Sequence, residues 1–432
     1  MHGVLHFFGK TYLYIVRLHF AVDEDKKVCY NENAGGMYKM NEKLHAYKEK
    51  FEKELFENVI PFWLKYGVDE TYGGMYTALD REGKIYSTDK SVWMQGRAAY
   101  MFAYLYNRLK KDERFLEVSK SCLDFLEKYC IDKDGRMFFL VTKDGLPLRK
   151  RRYWFSESFY IIACAEYYKA TGEEKYLRAA KYVYGMILDI YRDSRRDPYK
   201  ITPKSYASTR ATKSLACPMI LLNVTHIMRE ADGQNAVAYD SIARDLIAEI
   251  QRDFYKPDLH IMLETVGLNG EIFDESAPCR VVNPGHDIEC AWFLLDEGAY
   301  FADERILTLA KSIFDDAIVN GWDEEYGGIK YFVDYKGLPV EAYEHDMKLW
   351  WPHNEGVIAS LKLYQTFGDE KYLQWFERLT EYAFAHFSDP IYGEWFGYLR
   401  RDGVPTQPPC KGHTYKGPFH VLRMLAKCIE LL

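Results

Sequence analysis

The chain has 432 residues, of which 48% are hydrophobic and 16% are aromatic, and its formal net charge is −7. This much apolar material predicts a large buried core and excludes a disordered chain. The acidic balance argues against nucleic acids and anionic membrane surfaces as partners, because both attract cationic protein faces.

Residues 1–40 are predicted to be an extension outside the folded domain, which spans 41–432. Charged residues and histidines interrupt the apolar stretches of residues 1–21, so none is as long as a signal peptide or a membrane span. Residues 22–40 are polar, and a regular helical pattern begins only at Met40. A weak membrane-surface anchor is the alternative interpretation of the extension.

The nine cysteines predict a cytoplasmic protein with reduced thiols. Their number is odd, and no C-x-x-C spacing occurs. The sequence therefore indicates neither a disulfide framework nor a zinc site built from cysteine pairs.

Loops rich in glycine and aromatic residues recur at nearly even spacing and divide the chain into repeats. Most contain turn residues, a short alternating apolar run and a second turn such as Asp144-Gly145, which predicts a small β-hairpin or an extended loop. The six loops are 69–86, 132–148, 196–208, 256–273, 323–343 and 389–407.

Pairs of stretches with helical periodicity alternate with these loops, and they predict twelve helices. The stretches are 41–66, 89–110, 112–130, 152–170, 173–192, 212–231, 236–254, 284–301, 303–320, 346–367, 369–388 and 415–431. An open solenoid would need a polar face at each end. Pairing the first stretch with the last removes both ends, and no linker rich in Pro or Ser divides the chain. We therefore predict an all-α fold, one (α/α)6 toroid with short β-hairpin loops at one mouth.

The helices that follow the long loops are predicted to form the inner layer, with their first turns at one mouth. Arg97, Glu157, His286, Glu355 and His420 occupy this place in five of the six repeats. Each residue alone is equally well explained as a hydrogen-bonded polar residue of the core. Together they favour a cleft, because buried charges and imidazoles are costly without partners.

The sequence predicts no metal site. His286 and Glu289 lie three residues apart on a helix and could chelate, but no H-E-x-x-H motif occurs and the ligands are too few for a closed site. The chain also lacks the G-x-x-x-x-G-K-[ST] phosphate loop and the G-x-S-x-G nucleophile elbow.

Around these positions the chain resembles the N-acylglucosamine 2-epimerase family, also known for the animal renin-binding protein. The resemblance runs from about residue 41 to the C-terminus and depends on the order and spacing of short motifs. The matching stretches are Trp93–Arg97, Tyr153–Tyr160, Leu215–Asn223, Asn283–Leu295, Lys348–Glu355, Asp389–Leu399 and Lys416–Arg423.

The resemblance implies the same toroid and an isomerase of sialic acid metabolism that interconverts N-acetylglucosamine and N-acetylmannosamine. It implies His286 and His420 as the acid/base pair, with Arg97, Glu355 and Arg423 around the sugar. It also implies that no cofactor is required, that ATP is a possible allosteric activator, and that the enzyme forms homodimers. The only expected ligand class is then a small sugar.

Three further residues are predicted to contact the sugar or support those that do: Glu157, Glu289 and Trp351. Inversion at C2 of an open-chain sugar requires a base on one face of the carbon and an acid on the other, and two imidazoles suit both roles. Arg97 or Arg423 would stabilise the enediolate oxygen. The sequence leaves open which histidine serves which face.

Related cellobiose 2-epimerases and aldose–ketose isomerases are the nearest alternative, because they share the fold and both histidines. They usually carry another histidine motif on the third inner helix, where this chain has 216–219 (ACPM), which favours the N-acetyl sugar. A glycoside hydrolase would need two carboxylates, which Glu157, Glu289 and Glu355 could supply. A non-catalytic binding protein would not require two histidines and two arginines together.

Overall fold

The computed structural model describes residues 32–150, 153–197 and 206–432. The chain divides into two compact units, Met1–Ala46 and Tyr47–Leu432. Most of the predicted N-terminal extension, residues 1–31, lies outside the described residues. In the described part of the chain, none of the helices combines the length and the apolar character that crossing a bilayer requires.

Helices dominate the described part of the chain, and π-helical turns follow α1 (Glu54–Val59) and α9 (Ile250–Phe254). The α-helices are α1 (Glu32–Lys53), α2 (Ile60–Tyr66), α3 (Val92–Arg108), α4 (Glu113–Tyr129), α5 (Phe155–Thr171), α6 (Glu174–Arg192), α7 (Ala207–Arg210), α8 (Ala216–Ala231), α9 (Ala236–Glu249), α10 (Pro284–Phe301), α11 (Glu304–Gly321), α12 (Trp350–Phe367), α13 (Glu370–His386) and α14 (His420–Leu431).

The helices of the second unit form the ring that the repeats predict. Inner helices α3, α5, α8, α10, α12 and α14 each pack against the next, and α14 packs against α3. Outer helices α4, α6, α9, α11 and α13 each pack on the inner helix that precedes them. The π-helical turn after α1 packs on α14, so the first and last helical stretches do pair. The (α/α)6 toroid is confirmed.

Burial distinguishes the two layers. Every residue of α5 from Phe155 to Tyr167 is buried, because an inner helix is surrounded by other helices. The outer helix α4 is amphipathic and buries one face through residues such as Phe115, Cys122 and Leu126. A short turn joins each of these inner helices to the outer helix that follows it. Several outer helices begin with an aspartate N-cap, as α4 does with Asp112.

Short strands line the mouth of the ring: β1 (Lys90–Ser91), β2 (Leu140–Val141), β3 (Pro147–Arg149), β4 (Thr212–Ser214), β5 (Tyr255–Lys256), β6 (Ile261–Met262), β7 (Thr265–Gly267), β8 (Val281–Val282), β9 (Val333–Asp334), β10 (Lys348–Leu349) and β11 (Tyr398–Leu399). β1 pairs with β2, β4 with β7, β8 with β9 and β10 with β11, all antiparallel. In each pair, a strand just before an inner helix joins a strand of the next loop.

The pairing between repeats was not expected. A small β-hairpin or an extended loop was predicted for most loops, and among the described residues β2–β3 and β5–β6 are hairpins. Single antiparallel bridges such as Val68–Met75 and Trp322–Ile329 close turns within other loops. The residues expected to start α3, α8 and α12 belong instead to β1, β4 and β10. Strand pairing between repeats is a non-local interaction, so local periodicity cannot reveal it.

The first helix also begins earlier than expected. α1 begins at Glu32 rather than near residue 41, and it continues through Gly35 and Gly36. Glycine weakens a helix by about 1 kcal/mol per residue relative to alanine, which disfavours the conformation without forbidding it.

Buried lysine–aspartate pairs fix three of the loops at the mouth. Each aspartate begins a loop, each lysine lies shortly before the next inner helix, and all six side chains are at most 3% exposed. The N···O distances are 2.6 Å for Lys90–Asp69, 2.8 Å for Lys348–Asp323 and 2.9 Å for Lys411–Asp389. These pairs hold the start of each inner helix against its loop.

Lys90→Met is expected to lower the free energy of unfolding by about 3–5 kcal/mol, because Asp69 would stay buried without its counter-charge. Urea unfolding followed by circular dichroism measures this change. The control is Lys120→Met, which removes an exposed pair with Asp124 and should cost at most about 0.5 kcal/mol. Equally small effects in the two variants would contradict the role of the buried pair.

Candidate active site

Two histidines contact one tryptophan at the mouth of the ring. His286 lies in the first turn of α10 and His420 begins α14, while Trp351 lies at the start of α12, between them in the ring. The ring centroids of His286 and His420 lie 5.2 Å and 5.9 Å from that of Trp351. The predicted convergence of these residues is therefore present.

Gly285 explains how the indole comes so close to α10. A Cβ at this position would lie 2.6 Å from Cη2 of Trp351, a distance that side chains do not adopt. The preceding residues start the helix: Asn283 Oδ1 accepts from the His286 backbone N–H at 3.3 Å, and Pro284 takes the first helical position. The segment 283–286 thus places its histidine and leaves room for Trp351.

A carboxylate holds Nδ1 of each imidazole. Glu264 Oε2 lies 2.7 Å from Nδ1 of His286, and Glu355 Oε1 lies 2.7 Å from Nδ1 of His420. When Nδ1–H donates to a carboxylate, the tautomer is fixed and Nε2 becomes the atom that accepts or donates a proton. Both rings thus have the arrangement of a general acid–base group.

The two imidazoles differ in their electrostatic surroundings. Burial alone would lower the pKa of His286, but the carboxylate of Glu264 outweighs burial and raises it. Burial lowers the pKa of His420 well below its usual range, and the guanidinium groups of Arg423 and Arg97 lower it further. The two environments thus shift the pKa values of the imidazoles in opposite directions, and His286 is the more basic of the pair.

Glu355 is the centre of a buried network. Its Oε1 accepts from Arg423 Nη2 at 2.7 Å as well as from His420, and its Oε2 accepts from Trp292 Nε1 at 2.8 Å. The same Nη2 also pairs with Glu289. Burial would lower the pKa of Arg423, but these two carboxylates outweigh it and raise the pKa. All hydrogen-bonding oxygens of Glu355 are therefore engaged by protein groups.

Arg97 lacks such partners. Its guanidinium lies over the rings of Phe159 and Phe419, at 4.2 Å and 4.6 Å from their centroids. Its Nε is buried without an acceptor, and among the described residues no carboxylate forms an ion pair with it. Burial lowers the pKa of Arg97 to about 9, against the attraction of Glu289 and Glu355. Arg97 thus has donors available for a ligand oxygen.

Three residues of the network could in principle hold a metal ion. Glu289, Glu355 and His420 each offer a ligand atom, and these atoms lie within 4.8 Å of one another. Arg423 already supplies a positive charge to both carboxylates, so a cation would have to displace its guanidinium. The absence of a metal requirement stays a prediction.

Glu157 is not brought into this network by any of its contacts. Its Oε1 accepts from Arg136 Nε at 2.7 Å and from the Met137 backbone N–H at 2.9 Å. Gln95 and His353, at the same place in α3 and α12, likewise accept from the backbone N–H groups of Met75 and Ile329. These residues fix the loops, and the role of Glu157 at the sugar stays a prediction.

Two residues that hold the catalytic network were not predicted from the sequence. Glu264, which orients His286, lies in a loop between β6 and β7, and no motif or periodicity marks it. Trp292, which donates to Glu355, lies one turn after Glu289 on α10, so its position toward the ring axis could have been inferred from helical spacing.

Comparisons with known proteins agree with this geometry. The sequence model of the N-acylglucosamine 2-epimerase (GlcNAc 2-epimerase) family matches residues 74–421 of this chain. The chain is 37% identical to the N-acylglucosamine 2-epimerase of Bos taurus over 92% of this chain and 93% of that protein. It is 36% identical to the Homo sapiens enzyme over 92% of each chain. Its fold resembles the cellobiose 2-epimerase of Bacillus thermoamylovorans B4167, with a TM-score of 0.79 and 20% identity over 90% of this chain and 100% of that chain.

Glu264→Gln is expected to lower the pKa of His286, because the attraction of the carboxylate is lost while the burial that disfavours imidazolium remains. NMR titration of the histidine rings in the full chain measures this pKa. Glu341→Gln, an exposed residue of the loop before α12, is the control and should leave the titration unchanged. A pKa of His286 that is unaffected by Glu264→Gln would show that the carboxylate does not set its protonation.

Proposed function

Since the chain belongs to the N-acylglucosamine 2-epimerase family, we propose that it interconverts N-acetylglucosamine and N-acetylmannosamine by two-base proton transfer at C2. The observation that carries this proposal is the pair of carboxylate-oriented imidazoles, His286 and His420, beside the single indole of Trp351. The chain is accordingly a carbohydrate epimerase, an isomerase.

The reaction acts on the open-chain sugar, whose C2 proton is acidified by the adjacent aldehyde. Neutral His420 removes the C2 proton at Nε2, which gives an enolate with its negative charge on the C1 oxygen, because C2 of this sugar carries an amide nitrogen and no hydroxyl. Protonated His286 then returns a proton to C2 from the opposite face, which inverts the centre. In the reverse direction the two roles exchange, so the active enzyme carries one proton on the pair in both directions.

The two arginines take different roles in this proposal. Arg97 stabilises the enolate oxygen on C1, because its guanidinium is free of carboxylates and lies in a largely buried site where such donors are effective. Arg423 is held by Glu289 and Glu355 and therefore positions them. Glu355 orients His420 rather than the sugar, since its oxygens are already occupied. Glu289 contacts a sugar hydroxyl through its remaining oxygen.

In this proposal the sugar stacks on the indole ring of Trp351. The C–H groups of a hexose are apolar and pack well on an aromatic face, and Trp351 is the one ring that contacts both histidines in the described part of the chain. A sugar on this indole would have its C2 within reach of both imidazoles.

A glycoside hydrolase is not favoured by the site. Of the three carboxylates considered for that reaction, Glu289 and Glu355 share the guanidinium of Arg423, and Glu157 pairs with Arg136. A glycosidase needs one carboxyl group to protonate the leaving group and a second to attack or to activate water, and here all three are held by guanidinium groups.

We also propose that the enzyme acts in the cytoplasm as a homodimer and that residues 41–432 form its catalytic domain. The cysteines of the described residues are free, which is consistent with a reducing compartment. No cofactor is needed for the two-base reaction, and ATP would act only as an activator. Assays with N-acetylmannosamine, mannose and cellobiose, each with and without ATP, test the sugar preference and this activation.

Deuterium exchange tests the chemistry directly. During turnover in deuterated water the wild type is expected to place deuterium at C2, because an enzyme proton is replaced by one from solvent. His286→Asn and His420→Asn should each abolish epimerisation, as read by proton NMR of the sugar.

His353→Asn is the matched control. His353 hydrogen bonds with backbone groups, and burial lowers its pKa to about 3, so a folded variant should still epimerise. A double variant at 286 and 420 that epimerises at the wild-type rate would refute the two-base assignment.

Arg97→Met is expected to lower kcat by about a hundredfold or more, since it removes a donor to the charge that develops in the transition state. Steady-state kinetics on N-acetylmannosamine measures this loss. The control is Arg378→Met, whose partly exposed guanidinium lies over Trp322 on the outer layer, and kcat should stay near the wild-type value. A change in KM alone in Arg97→Met would show that the residue binds the sugar but does not stabilise the enolate.

A further inference from the structure

A second polar cavity lies toward the C-terminal ends of the inner helices, at the opposite end of the ring from the histidines. Its volume is about 180 Å³, and α3, α8, α10, α12 and α14 all line it. Arg423 and Trp292 form part of its inner wall, while the partly exposed Arg108 and the exposed Glu430 lie toward solvent. The catalytic proposal uses no ligand in this space.

The acidic residues of the cavity are already engaged or exposed. Asp296 pairs with Lys362, and Glu230 lies 2.9 Å from Lys169 and 3.4 Å from Arg108. Glu430 is exposed at the surface and hydrogen bonds with the Tyr104 hydroxyl. None of these carboxylates forms an ion pair with the remaining lysine, Lys427, in the described part of the chain.

Two donors on the cavity wall lack acceptors. Among the described residues Lys427 has no ion-pair or hydrogen-bond partner, and its Nζ lies over the rings of Trp292 and Tyr104, at 5.2 Å and 5.5 Å from their centroids. Arg423, which is 4% exposed, has a buried Nε without an acceptor. Lys427 is only partly buried, so its ammonium can be reached from the cavity, and an ammonium without a partner favours an acceptor that carries negative charge.

We propose that this cavity binds a small inorganic oxyanion, with Lys427 as its principal ligand. The volume corresponds to about six water molecules at roughly 30 Å³ each, which admits an ion of the size of phosphate. An oxyanion offers several acceptor oxygens, so it can accept more than one hydrogen bond from the Lys427 ammonium, while Arg423 adds positive charge to the same wall.

The oxyanion site is connected to the catalytic network by two side chains. Trp292 and Arg423 both line the cavity, and both donate to Glu355, which holds Nδ1 of His420. An anion beside Arg423 would compete with Glu355 for its guanidinium. Binding at this end of the ring therefore couples to His420, and the coupling is reciprocal.

Titration with inorganic phosphate tests the site without any sugar, so its outcome is independent of the epimerase reaction. Ionic strength is kept constant with a bulky sulfonate buffer, and tryptophan fluorescence is followed because Trp292 lines the cavity. We expect a saturable change in the wild type and in Lys175→Met, a control at an exposed lysine of α6. Lys427→Met should weaken binding by about tenfold or more, and Lys427→Arg should retain it.

Thermal unfolding provides the second measurement, because a ligand that binds the folded state raises Tm. Phosphate should raise the Tm of the wild type and of Lys427→Arg, and it should have less effect on a folded Lys427→Met. The absence of saturable binding to the wild type would overturn the proposal. So would an equal affinity of phosphate for Lys427→Met and the wild type.

Discussion

The catalytic site depends on one buried carboxylate, that of Glu355. A carboxylate in the interior is stable only when its charge and its lone pairs are compensated. Arg423 supplies the charge, while Trp292 and His420 supply further donors. The consequence for His420 is a fixed tautomer with Nε2 directed away from the carboxylate, and the guanidinium prevents the imidazole from being held permanently protonated.

The second histidine reaches the opposite protonation state with the same kind of partner. His286 is 24% exposed and faces Glu264, which has no arginine beside it among the described residues. Its pKa is raised, whereas that of His420 is lowered. Two residues of one type thus become an acid and a base through their surroundings alone, which is how paired titratable groups divide their roles in many active sites.

The sequence predicts much of this arrangement because the relevant information is local. Helical periodicity and evenly spaced loops define the ring, and the first turn of an inner helix is a position that can be counted. This is how the sequence places His286, Glu355 and His420 at one mouth, whereas the contact of both histidines with Trp351 is seen only in the structure.

What could not be predicted depends on contacts between distant segments. Glu264 reaches His286 from a loop without a distinguishing motif, and the strands at the mouth pair between repeats. Glu157 is a second case: its position in the repeat matches that of His286 and His420, but the sequence does not reveal that Arg136 is its partner and that it holds a loop. Position in the repeat identifies which residues face the mouth, and only the partner decides what each of them does.

The most direct test of the central claim is a crystal structure of the enzyme with N-acetylglucosaminitol, the reduced open-chain form of the sugar. The two-base account predicts Nε2 of His286 and Nε2 of His420 on opposite faces of C2, each at about 3–3.5 Å. Both nitrogens on the same face of C2, or one imidazole separated from C2 by the length of the sugar, would contradict it.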